Sequence, residues 1–180
     1  MAMLKAELRR TLIHQRLDLT EETIGVSHSL IKGYLLQHLK SFAIKRIGSY
    51  MPIQGEIDLG SLESDLSNIK FYFPKVINYS SRTLGWGQRP LVLGFKGIYE
   101  PETIIPDIMM DLILVPCIGF NEQGYRLGYG GGFYDSYLNQ LDQKPYLIGT
   151  AYEFSKVSFT TENHDHKLDA IVTELGITCF

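Results

Sequence analysis

Cysteine is almost absent from this sequence: Cys117 and Cys179 stand far apart, and no CxxC pair occurs. That usage excludes a disulfide framework and a cysteine-based zinc site. Long apolar runs are missing too. No stretch approaches the ~20 apolar residues that a membrane-spanning helix needs. The opening segment MAMLKAELRRTLIHQRL is broken by charges where a signal peptide would carry an apolar core. The expected location is therefore the cytoplasm, with no membrane partner. An excess of positive charge is also lacking, since 17 Lys and Arg face 20 Asp and Glu for a formal net charge of −3. Nucleic-acid binders carry a basic excess, so that class is set aside. A local basic patch for a phosphorylated ligand stays open, because net charge says nothing about clustering. Repeats, low-complexity tracts and linkers are absent as well. One domain over residues 1–180 is expected, and it is read as a monomer.

What is present is an ordinary globular balance, with 44% apolar and 21% charged residues. The first ~40 residues read as two helices. Leu4, Leu8 and Leu12 recur every four residues as one apolar stripe. Lys5, Arg9 and Arg16 align in a second stripe beside it, because i, i+4 and i+11 share a helix face. Thr20 followed by Glu21 and Glu22 starts the second helix, a side-chain cap with acids at the positive dipole end, and that helix is expected to reach Leu39.

Beyond it, short apolar runs predict strands over residues 44–50, 70–74, 90–93, 111–115, 146–151 and 170–173, with helices over 59–67 and 132–141. Several runs are apolar at consecutive positions, as in Leu112-Ile113-Leu114-Val115. That pattern suits strands covered on both faces by helices. The expected fold class is α/β with a largely parallel, sandwiched sheet. Residues 80–89, SSRTLGWGQR, read as a mobile loop, and Cys117 reads as a small buried hydrophobe.

The densest unusual segment is VPCIGFNEQGYRLGYGGGFYDSYL, from Val115 to Leu138. It passes from a buried-strand pattern to a helical one. Its centre holds Gly128, Gly130, Gly131 and Gly132, with Arg126 before them and Asp135 after. Glycines let backbone take positive φ and bring N–H groups close to an anion, and a following helix start adds more unpaired donors. Arg126 can add a bidentate contact to phosphate oxygens. Two common nucleotide motifs fail here. Gly119 and Gly124 have Walker A spacing, but Tyr125-Arg126 follows where Lys-Ser/Thr is required. Gly128 and Gly130 begin a GxGxxG pattern that ends on Phe133. What stands is an anion-binding turn of another kind.

The segment GYRLGYGGGFYD, Gly124 to Asp135, resembles the GxRLGxGxGxYD signature of the 5-formyltetrahydrofolate cyclo-ligases, with Phe133 where an aromatic such as Tyr is usual. Lys5-Ala-Glu-Leu-Arg9 resembles the KxxLR of that family's first helix. Glu56 in MPIQGEID resembles the acidic residue after its first strand. GIYEP, from Gly97, resembles its G-I-x-E-P turn, and HDHKLDAIVTE, from His164, resembles its HDxxxDxxxTE.

The resemblance implies an enzyme that closes 5-formyltetrahydrofolate to 5,10-methenyltetrahydrofolate, with ATP as co-substrate and Mg²⁺ as cofactor. It implies a three-layer α/β/α fold similar to the ribose-phosphate isomerase and CoA-transferase group. It implies Arg126 and Tyr134 as catalytic residues. ATP contacts would come from Lys5, Arg9, Arg126, Leu127, Gly128, Tyr129, Gly130, Gly131, Gly132, Phe133 and Tyr134. Folate contacts would come from Met51, Glu56, Tyr129 and the run Gly130, Gly131, Gly132 and Phe133. Asp135 and Asp169 would bind the metal through hard oxygen ligands. Trp86 is expected to close over the site from its loop, and Lys75 to meet the folate's glutamate tail. His164 and His166, with no third ligand nearby, make a poor zinc site. The alternatives are a nucleotide- or folate-binding module without turnover, and a sugar-phosphate isomerase or acyltransferase on the same fold.

Overall fold

Two helices lead the chain in the structure, a computed structural model that describes residues 4–180 and leaves the first three residues of the opening segment outside that range. They are α1 (Lys5–Leu17) and α2 (Glu21–Leu39). Thr20 sets the break between them: its backbone is extended, and its hydroxyl oxygen accepts the Thr23 N–H at 3.2 Å. The expected helix from Thr20 to Leu39 is borne out. Leu8 and Leu12 are buried on one face of α1, whereas Leu4 stays 69% exposed and outside the stripe.

The remainder alternates strands with short helices: β1 (Arg46–Gly48), α3 (Leu62–Asp65), β2 (Lys70–Asn78), β3 (Thr83–Gly87), β4 (Leu91–Leu93), β5 (Tyr99–Pro101), β6 (Leu112–Pro116), β7 (Gly119–Phe120), β8 (Arg126–Leu127), α4 (Phe133–Asn139), β9 (Tyr146–Thr150), β10 (Ala170–Thr173) and β11 (Gly176–Cys179). A seven-stranded sheet runs in the order β11-β10-β9-β6-β1-β2-β3. Its inner pairings are parallel, and only the edge strands β3 and β11 run antiparallel to their neighbours.

The β6 run shows why consecutive positions are apolar. Leu112 and Leu114 point to one side, where Ile47, Ile148 and Val172 meet Ile31, Leu35 and Leu39 of α2. Ile113 and Val115 point to the other, where Leu147 and Ile171 meet Tyr137 and Leu138 of α4. Both faces are dry, so neither can carry polar side chains. Burying each such side chain contributes about 1.5–3 kcal/mol. The α/β fold class with a mostly parallel, sandwiched sheet is borne out.

Several local expectations are corrected. The centre of the loop expected over 80–89 is strand: β3 pairs with β2 across Phe73–Gly87, Pro74–Trp86 and Lys75–Gly85, leaving residues 80–82 in the turn between them. The glycines that suggested a loop make room instead, since a Cβ on Gly87 would stand 2.1 Å from the Thr103 carbonyl oxygen. Trp86 is 2% exposed and packs on Gly48, Tyr134 and Tyr137. It is a core residue under α4 and closes over nothing. Residues 91–93 pair with β5 in a separate two-stranded sheet. The helices expected over 59–67 and 132–141 shrink to α3 and α4, and the strand expected over 44–50 shrinks to β1.

Candidate active site

Ligands of open α/β sheets settle outside the carboxyl ends of the parallel strands. Here those ends are tied together at β1 and β9. The Tyr50 hydroxyl donates to the Ile57 carbonyl at 2.7 Å and lies 2.7 Å from the Thr150 hydroxyl. Over this floor the chain runs from β8 to α4 through Gly128–Gly132 without regular structure. Gly130 and Gly132 take φ of +85° and +68°, a region closed to most side chains. A Cβ on Gly130 would lie 3.4 Å from the Arg9 guanidinium carbon, and one on Gly132 would lie 3.1 Å from Arg82 Nη1. The loop is thus flanked by two arginines. Gly128 faces open space, and Gly131 packs on the Phe133 ring.

Helix α1 holds the loop. Leu8 and Leu12 pack with Ile118 and Leu127 of the β7–β8 hairpin, which fixes the helix beside the glycines. From that anchorage Arg9 Nε donates to the Gly128 carbonyl at 2.6 Å. Two turns on, Arg16 is 4% exposed; its Nη2 donates to the Tyr129 hydroxyl at 2.8 Å and its Nε to the Gln54 carbonyl at 2.9 Å. Lys5 Nζ sits at the outer end, 2.9 Å from Glu162 and 3.3 Å from Asp165. The second stripe of α1 is therefore the inner wall of the site. Arg16 belongs to it, although the sequence reading gave it no role; its register with Arg9 was the available signal.

The Gln54 carbonyl belongs to a tight turn closed by the Glu56 N–H on the Ile53 carbonyl at 3.0 Å. Gln54 and Gly55 both have positive φ, 47° and 74°. The turn folds Glu56 inward, where it is 5% exposed and its Oε2 accepts the Ile53 N–H at 3.0 Å. Burial raises its pKa from 4.5 to about 7, against the pull of the Ile53 N–H, the Arg16 charge and the Tyr129 hydroxyl. The same burial, with Glu56 close by, raises the Tyr129 phenol to about 12 despite Arg16. Tyr134 stands edge-on to Trp86, and burial beside Glu56 holds its phenol above the usual range although Arg126 opposes it. Both tyrosines are hydrogen-bond donors at neutral pH. Cys117, buried behind them, has a thiol pushed up to about 12 by burial and is no nucleophile. Met51 is half-buried against the first core.

Arg126 is nearly buried. Its Nη2 lies 2.6 Å from Asp135 Oδ1, and its Nη1 donates to the His166 carbonyl at 3.1 Å. Asp135 Oδ1 also accepts the His166 N–H at 3.3 Å, while Oδ2 has no hydrogen-bond partner among the described residues. Asp169 lies elsewhere, at the start of β10. Its Oδ2 accepts the Leu147 N–H at 2.7 Å, at the amino end of β9 and away from Thr150. Asp165, four residues earlier, is the carboxylate that reaches Lys5. Among the described residues no three His, Cys, Asp or Glu side chains cluster as a metal site. A magnesium ion held mainly by phosphate oxygens needs only one or two carboxylates, and the open Oδ2 of Asp135 meets that need. Lys75 is already engaged, 3.3 Å from Glu100 and bonded to the Pro101 and Glu102 carbonyls.

The family described as the 5-formyltetrahydrofolate cyclo-ligase family matches residues 2–174. A curated 5-formyltetrahydrofolate cyclo-ligase of Mycoplasma pneumoniae is 32% identical over 178 residues, covering 94% of this chain and 98% of its own. The Escherichia coli K12 protein of the same name is 30% identical over 139 residues, 71% of this chain and 76% of its own. Among solved structures, a 5,10-methenyltetrahydrofolate synthetase from Mycoplasma pneumoniae superposes with a TM-score of 0.81 at 30% identity, covering 96% of this chain and 99% of that one. The synthetase of Aquifex aeolicus superposes with a TM-score of 0.78 at 30% identity, covering 98% and 93%.

Proposed function

Because this chain belongs to the 5-formyltetrahydrofolate cyclo-ligase family, we propose that it converts 5-formyltetrahydrofolate and ATP to 5,10-methenyltetrahydrofolate, ADP and phosphate. The observation that carries this reading is that α1 grips both halves of the site. Arg9 holds the Gly128 end of the loop, and Arg16 joins Tyr129 to the turn that bears Glu56.

The phosphate half would consist of Lys5, Arg9, Arg126 and the loop from Leu127 to Tyr134. An N-formyl group is a poor electrophile with a poor leaving group. Transfer of the γ-phosphoryl group to the formyl oxygen breaks the bond to the ADP oxygen and leaves the formyl carbon activated. N10 then attacks that carbon and loses its proton, and the formyl oxygen departs within inorganic phosphate. Such transfer depends on positioning and charge neutralisation. Arg9 and Arg126 supply fixed charge, and Tyr134, protonated at neutral pH, donates a hydrogen bond. Asp135 would hold Mg²⁺ on the phosphates, where the ion shields their charge when bound.

The folate half would consist of Met51, Glu56, Tyr129 and the loop to Phe133. Glu56 as a carboxylate accepts the paired N–H donors of the amino-pyrimidine ring. The test is to mix purified protein, 5-formyltetrahydrofolate, Mg²⁺ and ATP and follow methenyl product by its near-ultraviolet absorbance. Product formation that requires ATP is expected. Folded protein that binds both ligands without turnover would overturn the reaction.

A further inference from the structure

Phe133 also faces a group of side chains that none of these roles uses. Tyr79 and Arg82 come from the β2–β3 turn, and Phe95 and Lys96 from the turn between β4 and β5. The Tyr79 ring lies 5.7 Å from Phe133 and 5.3 Å from Phe95, centroid to centroid. Lys96 Nζ stands 5.3 Å from the Tyr79 centroid and 5.4 Å from that of Phe95. Arg82 reaches the loop itself, its Nη1 3.1 Å from the place a Gly132 Cβ would take. The result is an aromatic step flanked by two cations, at the Gly132–Phe133 end of the glycine loop.

Three features set this step apart from chance surface. Among the described residues neither Arg82 nor Lys96 pairs with a carboxylate, whereas neighbouring Lys75 does. Tyr79 keeps 55% of its surface exposed although it packs against two rings at tilted angles. Both cations sit at positive φ, 55° and 53°, a conformation uncommon for non-glycine residues.

Resting on the reaction proposed above, we infer that this step takes the distal half of the folate substrate. The benzoyl ring lies against Tyr79 and Phe133, and the glutamate carboxylates meet Arg82 and Lys96. Charge and shape agree: a flat ring followed by two carboxylates meets two rings followed by two cations. Reach agrees as well, because Tyr129 and Phe133 are four residues apart and their separation is at most ~14 Å. A substrate whose pterin ring is held at Glu56 and Tyr129 extends along the loop to the step. Lys75, the residue expected from sequence to meet the tail, is occupied by Glu100.

The test uses the full chain and two ligands. Calorimetry follows binding of p-aminobenzoyl-triglutamate, and kinetics give KM for 5-formyltetrahydrofolate and for ATP. In R82A/K96A, binding of the probe and the folate KM are expected to weaken by about tenfold, with the ATP KM moving far less. Added salt is expected to weaken the probe in wild type more than in the variant. Equal probe binding by the two proteins overturns the inference, as does an ATP KM that rises with the folate KM. R82Q/K96Q serves if the alanine pair fails to fold. Probe binding through these residues in a protein without turnover would remove the proposed reaction and leave the subsite. Turnover with probe binding indifferent to both substitutions would do the reverse.

Discussion

Arg16 Nη2 stands 2.8 Å from the Tyr129 hydroxyl, and Nε of the same guanidinium stands 2.9 Å from the Gln54 carbonyl. One buried side chain therefore sets the distance between the glycine loop and the Glu56 turn. Because its charge also lowers the Glu56 pKa, Arg16→Gln is expected to raise the pH at which folate affinity reaches half its maximum. It should also cost about 1–3 kcal/mol of stability through the acceptors left without a donor. Folate titrations at a series of pH values check the midpoint. An unmoved midpoint would show that Arg16 only supports the fold.

Glu56 titrates at about 7 in the folded chain against an ordinary 4.5. The fold therefore favours the protonated acid. That stability is complete below about pH 4.5 and is lost as pH rises through about 7. Glu56→Gln keeps the acceptor for the Ile53 N–H and never ionises, so it is expected to melt above wild type at pH 8, by up to ~3 kcal/mol. The gap should close toward pH 4.5. The same variant should bind folate more weakly while ATP binding changes less. A melting difference that does not vary with pH would contradict the assignment.

Arg126 and Asp135 make one unit, so their variants should differ from that of Asp169. Arg126→Ala strands Asp135 and the His166 carbonyl; loss of turnover is expected together with about 1–3 kcal/mol of stability. Asp135→Asn should raise the Mg²⁺ concentration needed for half-maximal turnover. Asp169→Asn should lower the melting temperature by disturbing the Leu147 N–H contact, with the Mg²⁺ requirement unchanged. A shifted requirement in Asp169→Asn alone would reassign the ligand.

The glycines of the loop are not equivalent. Gly130→Ala forces a side chain into positive φ beside Arg9, an expected loss of ~1–2 kcal/mol. Gly128→Ala meets nothing within 4 Å, so its melting temperature should match wild type. Any fall in its ATP affinity would then report the closeness of phosphate to the backbone. Differential scanning fluorimetry beside nucleotide titration separates the two quantities.

Much of this was legible in the residues themselves. The Leu112–Val115 run required a strand with two dry faces, and Thr20 required a helix start. The glycines between Arg126 and Asp135 announced a turn with positive φ. Other features depend on contacts between distant segments. Trp86 looked like loop because Gly85 and Gly87 surround it; only the approach of Thr103 and Pro101 to Gly87, and of Ile77 and Ile104 to Gly85, explains why glycine stands there. Arg82 gave no local signal, since its value lies in a hairpin that swings it to Gly132. Asp165 and Asp169 have similar carboxylates, and the pairing of β9 with β10 decides which of them faces Lys5.

The Lys5 contact sets up a competition for one ammonium. Glu162 and Asp165 act as the protein's own stand-in anions, so any incoming anion must displace two carboxylates from one ammonium. Glu162 is exposed and Lys5 lies near the surface, so giving up that contact costs little, and a ligand with several anionic oxygens readily offsets it. A triphosphate bound as proposed would exchange those two carboxylates for its own oxygens at Lys5, so the same ammonium would serve first as an internal brace and then as a ligand contact.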